Sequence, residues 1–290
     1  MHSFIFYISY LVFPFLILLI FLLSKKEVYQ NKFFTIFIIL LFLLSLVFIY
    51  SRFIETRMIK IQNTRINTGF NSKLIVISDI HLWVYKSSDF LEKVVNKINK
   101  IKNADAVIIP GDFIYYHKKD LKTLFEPLKN IKIPVFAILW NHDSEKPWPP
   151  IQKELELVLK SYWINFLQNK SYKLKDLTIL GLWDKWADSD KIKEIDNFSK
   201  HDNLIVFTHN PDTVLEYTND IPDLTISGHT HWWQIRLPFI YKYAIPCIWD
   251  FDQWLYNWNY GKLFVSSGIW EVGLPMRLWI PPVIDILELY

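Results

Sequence analysis

Leu74-Ile75-Val76-Ile77-Ser78-Asp79-Ile80-His81 is the stretch on which the reading of this chain turns. The apolar run Leu74–Ile77 reads as a buried strand, and the polar cluster Asp79-Ile80-His81 follows it at once. The pattern recurs. Ala106–Ile109 runs into Gly111-Asp112, and Val135–Leu139 into Asn141-His142-Asp143. Leu204–Phe207 runs into His209-Asn210, and Leu224–Ile226 into Gly228-His229-Thr230-His231. Short continuous apolar runs are the mark of strands covered on both faces. In an open α/β sheet, ligands bind beyond the carboxyl ends of the strands. Five loops would then point their polar groups into one crevice.

The residue types suit a metal centre. Carboxylate, imidazole and amide oxygen fit borderline divalent ions such as Mn, Fe or Zn, and the lack of thiolate argues against a structural zinc site. Two such ions about 3.5–4 Å apart can orient a phosphate, activate water and stabilise both the attacking and the leaving oxygen. Asp112, on its tight Gly-Asp turn, is the natural carboxylate to lie between them.

The order of the clusters resembles the calcineurin-like metallophosphoesterases, whose pattern is Asp-x-His, Gly-Asp, Gly-Asn-His-Asp/Glu, a lone His and Gly-His-x-His. The resemblance covers about residues 73–290, and five of the eight histidines fall in register with it. It implies one metal held by Asp79, His81, Asp112 and His231, and a second held by Asp112, Asn141, His209 and His229. It also implies His142 as general acid or transition-state stabiliser, with Asp143 orienting its ring. His2, His117 and His201 fall outside the pattern and receive no role. With its apolar N-terminus, the chain looks like the membrane-anchored bacterial subfamily that includes UDP-2,3-diacylglucosamine hydrolases. The implied reaction is hydrolysis of a phosphodiester or pyrophosphate bond by metal-activated water.

Tryptophan stands where the family carries glycine. Trp140 precedes the Asn-His-Asp cluster, Trp232-Trp233 follows the His-x-His, and Trp83 sits in the loop after Asp79-Ile80-His81. These are sharp turns, and glycine is the residue that reaches positive φ without steric cost. The chain has 7 Gly and 13 Trp, while usual usage would give roughly 20 Gly at about 7%. One reading is that most of these Trp are UGA codons that the organism decodes as glycine. The other is a Trp-rich protein whose indoles form an aromatic platform for substrate or lipid headgroups. In that case Trp140 and Trp232 crowd the metal edge, and a non-catalytic, membrane-bound binding module becomes an alternative to the enzyme.

Upstream, Ser3–Leu23 and Phe33–Tyr50 contain no charged residue. About 20 residues of helix cross the hydrocarbon core of a bilayer, so residues 1–50 read as a transmembrane hairpin with spans of about 3–23 and 33–50. A signal peptide is a poor fit, because a basic n-region and a small-residue cleavage site are both missing. Lys25, Lys26 and Lys32 lie in the link, against Arg52, Arg57, Lys60 and Arg65 after the second span. Four against three favours a cytoplasmic catalytic domain at the cell membrane.

The chain carries +3 overall. With Glu27 and Glu55 counted, the link carries +2 and residues 51–70 carry +3, which leaves −2 for residues 71–290. The basic excess is therefore juxtamembrane, where it attracts anionic headgroups. No basic stripe marks a nucleic-acid partner. The single Cys247 excludes an internal disulfide.

Residues 51–70 read as a basic linker and 71–290 as one phosphoesterase domain. Helical spacing is expected over Asp89–Lys102, Leu121–Lys129 and Ile151–Lys160, with Asn210-Pro211 opening a short helix. Lys262–Ser266 and Val283–Leu287 read as strands of a second sheet. The expected class is α/β: a sandwich of two mixed β-sheets flanked by helices. Anchoring beside a bilayer suggests a lipid-linked substrate; the alternative enzyme is a broad phosphodiesterase acting on soluble nucleotides.

Overall fold

The computed structural model describes residues 2–82, 86–115, 120–140, 143, 151–183, 190–231, 234–239, 241–247, 251–252, 254–271 and 273–290. Two six-stranded mixed sheets form a sandwich. The first runs β1 (Lys60–Ile66), β12 (Val283–Leu289), β2 (Ser72–Val76), β3 (Ala106–Ile109), β4 (Val135–Ala137), β5 (Ile164–Phe166). All its pairings are parallel except β12 with β2. The second runs β10 (Trp254–Trp258), β11 (Gly261–Val265), β9 (Leu224–Ser227), β8 (Leu204–Phe207), β7 (Leu177–Gly181), β6 (Lys170–Leu174). Its outer pairs, β10–β11 and β6–β7, are antiparallel and the rest parallel.

The five apolar runs that precede the polar clusters are β2, β3, β4, β8 and β9. They are the central strands, which is why nearly every residue in them is apolar. Phe136, Phe207 and Phe264 meet between the sheets with no exposure. Truncating any one of them to Ala would cost about 3–5 kcal/mol. The outer face of the first sheet is covered by α5 (Ser88–Ile98), α6 (Leu121–Phe125) and α7 (Gln152–Ser161). In α5, Phe90, Leu91, Val94, Val95 and Ile98 form the buried stripe. Helix α6 stops at Phe125 because Pro127 follows, and the chain continues as a 3-10 turn over Glu126–Asn130. Asn210 caps a 3-10 segment, Pro211–Glu216, with its side chain accepting from the Asp212 N–H.

Two expectations are revised. Val283–Leu287 belongs to the first sheet, where β12 lies between β1 and β2. Residues 51–70 contain β1, paired with β12 over seven residues. Its sequence, Lys-Ile-Gln-Asn-Thr-Arg-Ile, buries only Ile66, so an edge strand there reads like a linker. Trp254 and Trp258 are the end residues of β10.

The N-terminal region is helical: α1 (His2–Ile8), a 3-10 turn, α2 (Val12–Leu23), α3 (Lys26–Gln30) and α4 (Lys32–Ile49). Phe4–Leu23 and Lys32–Arg57 are each long and apolar enough to cross a membrane. A π-helical turn, Tyr50–Ile54, extends α4 towards the sandwich.

Trp163, Trp254 and Trp279 have φ of 66°, 59° and 65°. Trp163 follows the α7 cap residue Tyr162 and donates its N–H to the Lys160 carbonyl. That is the left-handed position past a helix end where glycine is usual. Its indole is 84% exposed.

Candidate metal centre

Asp79 and His81 follow β2, Asp112 follows β3, His209 follows β8, and His229 and His231 follow β9. All six are buried or nearly so. Five of them, Asp79, His81, Asp112, His229 and His231, have positive φ between 35° and 69°. Non-glycine residues rarely sit there, and such conformations gather at functional sites. Here the left-handed turns aim successive side chains into one crevice.

Two carboxylates meet three imidazoles. His81 Nε2 lies 3.3 Å from Asp112 Oδ2 and 3.9 Å from Asp79 Oδ1. His209 Nε2 lies 3.1 Å from Asp112 Oδ2 and 3.7 Å from Asp79 Oδ1. His231 Nε2 lies 3.4 Å from Asp79 Oδ1. Asp79, His81 and His231 form one potential ligand triad, and Asp79, Asp112 and His209 another, each with its ligand atoms within 4.8 Å of one another. Both carboxylates therefore lie between histidines, and Asp79 is common to the two triads.

The ring partners fix what faces inward. His209 Nδ1–H donates to the Pro110 carbonyl at 2.8 Å, and His231 Nδ1–H to the Trp270 carbonyl at 3.3 Å. The Nε2 atoms of both rings then point lone pairs at carboxylate oxygens. That arrangement is repulsive unless a cation or a proton lies between, and carbonyl-tethered imidazoles are how proteins orient metal ligands. The donor set fits divalent cations.

The acidities follow the same logic. Burial alone would depress His81 and His209, but the carboxylates override it. His81 is raised, chiefly by Asp112, and His209 rises to about 9 under the pull of Asp112 and Asp79. Burial opposes ionisation of Asp79, yet His231 and His209 hold its pKa below the ordinary value. Burial dominates at His229 and His231, which fall to about 3 and about 4, so both rings are neutral at pH 7. The protons held by His81 and His209 stand where divalent cations would neutralise the carboxylates.

His229 is turned differently from the other rings. Its Nε2–H donates to the Pro246 carbonyl at 3.0 Å, and its backbone N–H donates to both oxygens of Asp79 at 3.2 and 3.3 Å. Asn141 and His142 lie outside the described residues. Asp143 is described, and its observed contacts are to backbone. Oδ2 accepts from the N–H groups of Asp112 and Trp140, both at 3.1 Å, and Oδ1 from Phe113 and Ile114 at 2.9 and 3.1 Å. It is a clamp on the Gly111-Asp112 turn. Burial and the neighbouring Asp112 push its pKa up to about 7, against the pull of those donors.

Sequence reasoning missed the support beneath His231. Arg277, fully buried, donates to the Trp270 carbonyl that holds His231, and at 3.1 Å to the Ile280 carbonyl. Glu271 pairs with Arg277 Nε at 3.3 Å and with Lys86 Nζ at 2.8 Å. Burial brings Lys86 down to about 8 despite that partner. These residues follow no short motif, so only the folded chain reveals them. Gly228 could have been read more strongly. A Cβ there would meet Ser78 Oγ at 1.8 Å and Asp79 Oδ2 at 2.6 Å, so no larger residue fits against Asp79.

Trp140 has no exposure, and its ring lies 4.9 Å from His209 and 6.1 Å from His229 between centroids. Its Cβ is 2.9 Å from where a Cβ on Gly111 would be. The indole is thus accommodated behind the histidines, by virtue of glycine at 111. Trp83, Trp232 and Trp233 lie outside the described residues.

Comparison with known proteins agrees with this geometry. Residues 72–233 match the calcineurin-like phosphoesterase family. An uncharacterized metallophosphoesterase of Campylobacter jejuni is 31% identical over 96% of this chain and 76% of its own. One from Helicobacter pylori is 28% identical over 75% of this chain, which spans 59% of that relative. A UDP-2,3-diacylglucosamine pyrophosphatase, LpxG, of Chlamydia muridarum is 27% identical over 67% of this chain and 75% of its own. The chain belongs to the calcineurin-like phosphoesterases and is a metal-dependent phosphoester hydrolase.

Proposed function

We propose that the protein is a membrane-anchored phosphoesterase that uses two divalent cations, Mn, Fe or Zn, to cleave a lipid-linked phosphodiester or pyrophosphate. The observation that carries this is the convergence of Asp79 and Asp112 with the inward-facing Nε2 atoms of His81, His209 and His231 at 3.1–3.9 Å. Asp79, His81, Asp112 and His231 are assigned to one cation. Asp112, Asn141, His209 and His229 are assigned to the other, with Asp79 near enough to both to share in either set. When bound, two such ions neutralise phosphate charge and lower the pKa of water.

The chain's own residues do the rest. The Pro110 and Trp270 carbonyls hold His209 and His231 in one tautomer. Asp143 fixes the Asp112 turn through four backbone N–H groups, and Gly228 lets the His229 loop close on Asp79. His142 is assigned the proton for the leaving oxygen, on the family resemblance.

Lipid linkage rests on the two N-terminal helices long and apolar enough to span a bilayer, and on the similarity to the Chlamydia UDP-2,3-diacylglucosamine pyrophosphatase. A hairpin of this kind puts the hydrolase domain beside the membrane, on the side carrying Arg52, Arg57, Lys60 and Arg65; the charge bias assigns that side to the cytoplasm.

The test is hydrolysis by the full chain in lipid nanodiscs with Mn²⁺, using an aryl phosphodiester and a diacyl sugar nucleotide. Activity on both that vanishes in Asp112→Ala supports the reading. Turnover of soluble nucleotides alone would favour the broad phosphodiesterase. Bound metal with no turnover of either substrate would make the protein a binding module.

A further inference from the structure

A groove of about 650 Å³ runs between the two apolar helices and under the loop Leu274-Pro275-Met276. Its walls are apolar: Val12 and Phe15 on one side, Leu41, Leu44 and Phe48 on the other. Among the described residues lining it, Arg52 is the charged one. That guanidinium is 4% exposed, lies 4.7 Å from the ring centroids of both Phe6 and Phe53, and donates from Nε to Ser9 Oγ at 3.1 Å. An Arg at the end of an apolar span sets its charge at the membrane interface, here at one end of the groove.

The dimensions and position of the groove point to its occupant. Eleven residues separate Leu41 from Arg52 along α4 and its π-helical extension, which is about 16 Å of helix. Half of a bilayer core of about 30 Å is about 15 Å. The groove therefore matches the length of an acyl chain in the leaflet next to the hydrolase domain, with a cation at its polar end.

The roof of the groove leads to the metal centre. Met276 is followed by Arg277, whose backbone N–H donates to the Ser51 carbonyl at 2.9 Å and whose guanidinium donates to the Trp270 carbonyl. That carbonyl also holds His231. Two residues on, the Trp279 N–H donates to Glu55 Oε2 at 2.9 Å. The membrane-proximal turn, the groove roof and a metal ligand are thus tied through one short segment.

We propose that this groove is the acyl-chain subsite of the hydrolase: a fatty acyl chain lies between the two helices beneath Leu274–Met276, with Arg52 drawing the anionic head to the polar end. As a substrate subsite it rests on the lipid-linked reading above. An acyl chain could come from the substrate or from bulk phospholipid, and two measurements separate these.

The first uses full-length protein in nanodiscs containing a phosphatidic acid with a diazirine midway along one chain. Cross-links mapped by mass spectrometry should fall on groove residues of both helices and on residues 274–276. Leu44→Trp, which fills the groove, should reduce them at least fivefold while labelling of the outward faces stays unchanged. Arg52→Gln should abolish the preference over a phosphatidylcholine probe. Labelling of groove and outer faces alike, unmoved by Leu44→Trp, would overturn the proposal whatever the enzyme hydrolyses.

The second compares hydrolysis of a diacyl sugar nucleotide with that of an aryl phosphodiester. Leu44→Trp should raise KM for the diacyl substrate about tenfold or more and leave kcat/KM for the aryl ester within twofold. An equal fall on both substrates would make the groove merely structural. If the probe labels the groove specifically but no lipid-linked substrate is turned over, the groove holds a bilayer lipid; the substrate assignment fails while the acyl site stands.

Discussion

Asp143 Oδ2 accepts the backbone N–H of Asp112 at 3.1 Å, thirty-one residues away in sequence. Three further N–H groups, of Phe113, Ile114 and Trp140, also donate to this carboxylate. Removing the side chain leaves four buried donors unsatisfied, each worth about 1–3 kcal/mol. Asp143→Ala should therefore destabilise the fold by at least about 3 kcal/mol and lower the metal content of whatever folds. Asp143→Asn should recover only part of this, because its NH2 would face backbone donors. Urea midpoints and metal analysis of both variants check it; a wild-type midpoint for Asp143→Ala would remove the clamp role.

Metal addition should stabilise the chelated protein. Binding to the native state alone contributes about 2.7 kcal/mol when the free ion is 100-fold above its Kd. At about 2–4 °C per kcal/mol for a chain of this size, Tm should rise roughly 5–10 °C with Mn²⁺. Asp79→Ala should cancel the rise, since Asp79 belongs to both triads. An undiminished rise in that variant would assign the ion to other residues.

Asp285, on β12, sets a pH dependence of its own, apart from the Asp79–Asp112 cluster. It is fully buried, accepts from Ser266 Oγ at 2.7 Å through Oδ2, and burial raises its pKa to about 7. In the unfolded chain it ionises near 3.9. Between those values the folded state binds more protons, so stability falls as pH rises from about 4 to about 7 and then levels off. The fall is up to about 1.4 kcal/mol per pH unit. Asp285→Asn should flatten this slope and be the more stable protein at pH 8. Parallel stability curves for the two proteins would count against it.

Trp163, Trp254 and Trp279 occupy left-handed backbone with indoles 84%, 48% and 59% exposed. Left-handed φ costs a Cβ-bearing residue roughly 1–2 kcal/mol, and these rings recover little by burial. Replacing each with Gly should raise stability by up to about 1 kcal/mol, measured by thermal denaturation. A loss at all three would mean that the indoles are favourable where they stand. Left-handed tryptophans are also what UGA decoded as glycine would produce, and the codons at 140, 232 and 233 decide that reading directly; UGG there would end it.

The sequence by itself determined the strand–loop pattern, the family and five residues that the fold brings together, Asp79, His81, Asp112, His209 and His231. Those features are local: an apolar run followed by a short polar cluster is readable without knowing what it touches. It could not determine the partners of edge strands. Nothing in Lys60–Ile66 favours β12, because an edge strand with polar residues on its outward side lacks the apolar signal of a central one. Nor could it reveal that Asp143 serves the Asp112 turn, that Trp270 and Arg277 hold His231, or that Ser51 and Glu55 dock on the segment running from Arg277 to Trp279. Apart from Arg277 on Trp270, these contacts join residues tens to hundreds of positions apart, and all run through backbone atoms. Every residue carries those atoms, so only the tertiary structure decides which of them meet.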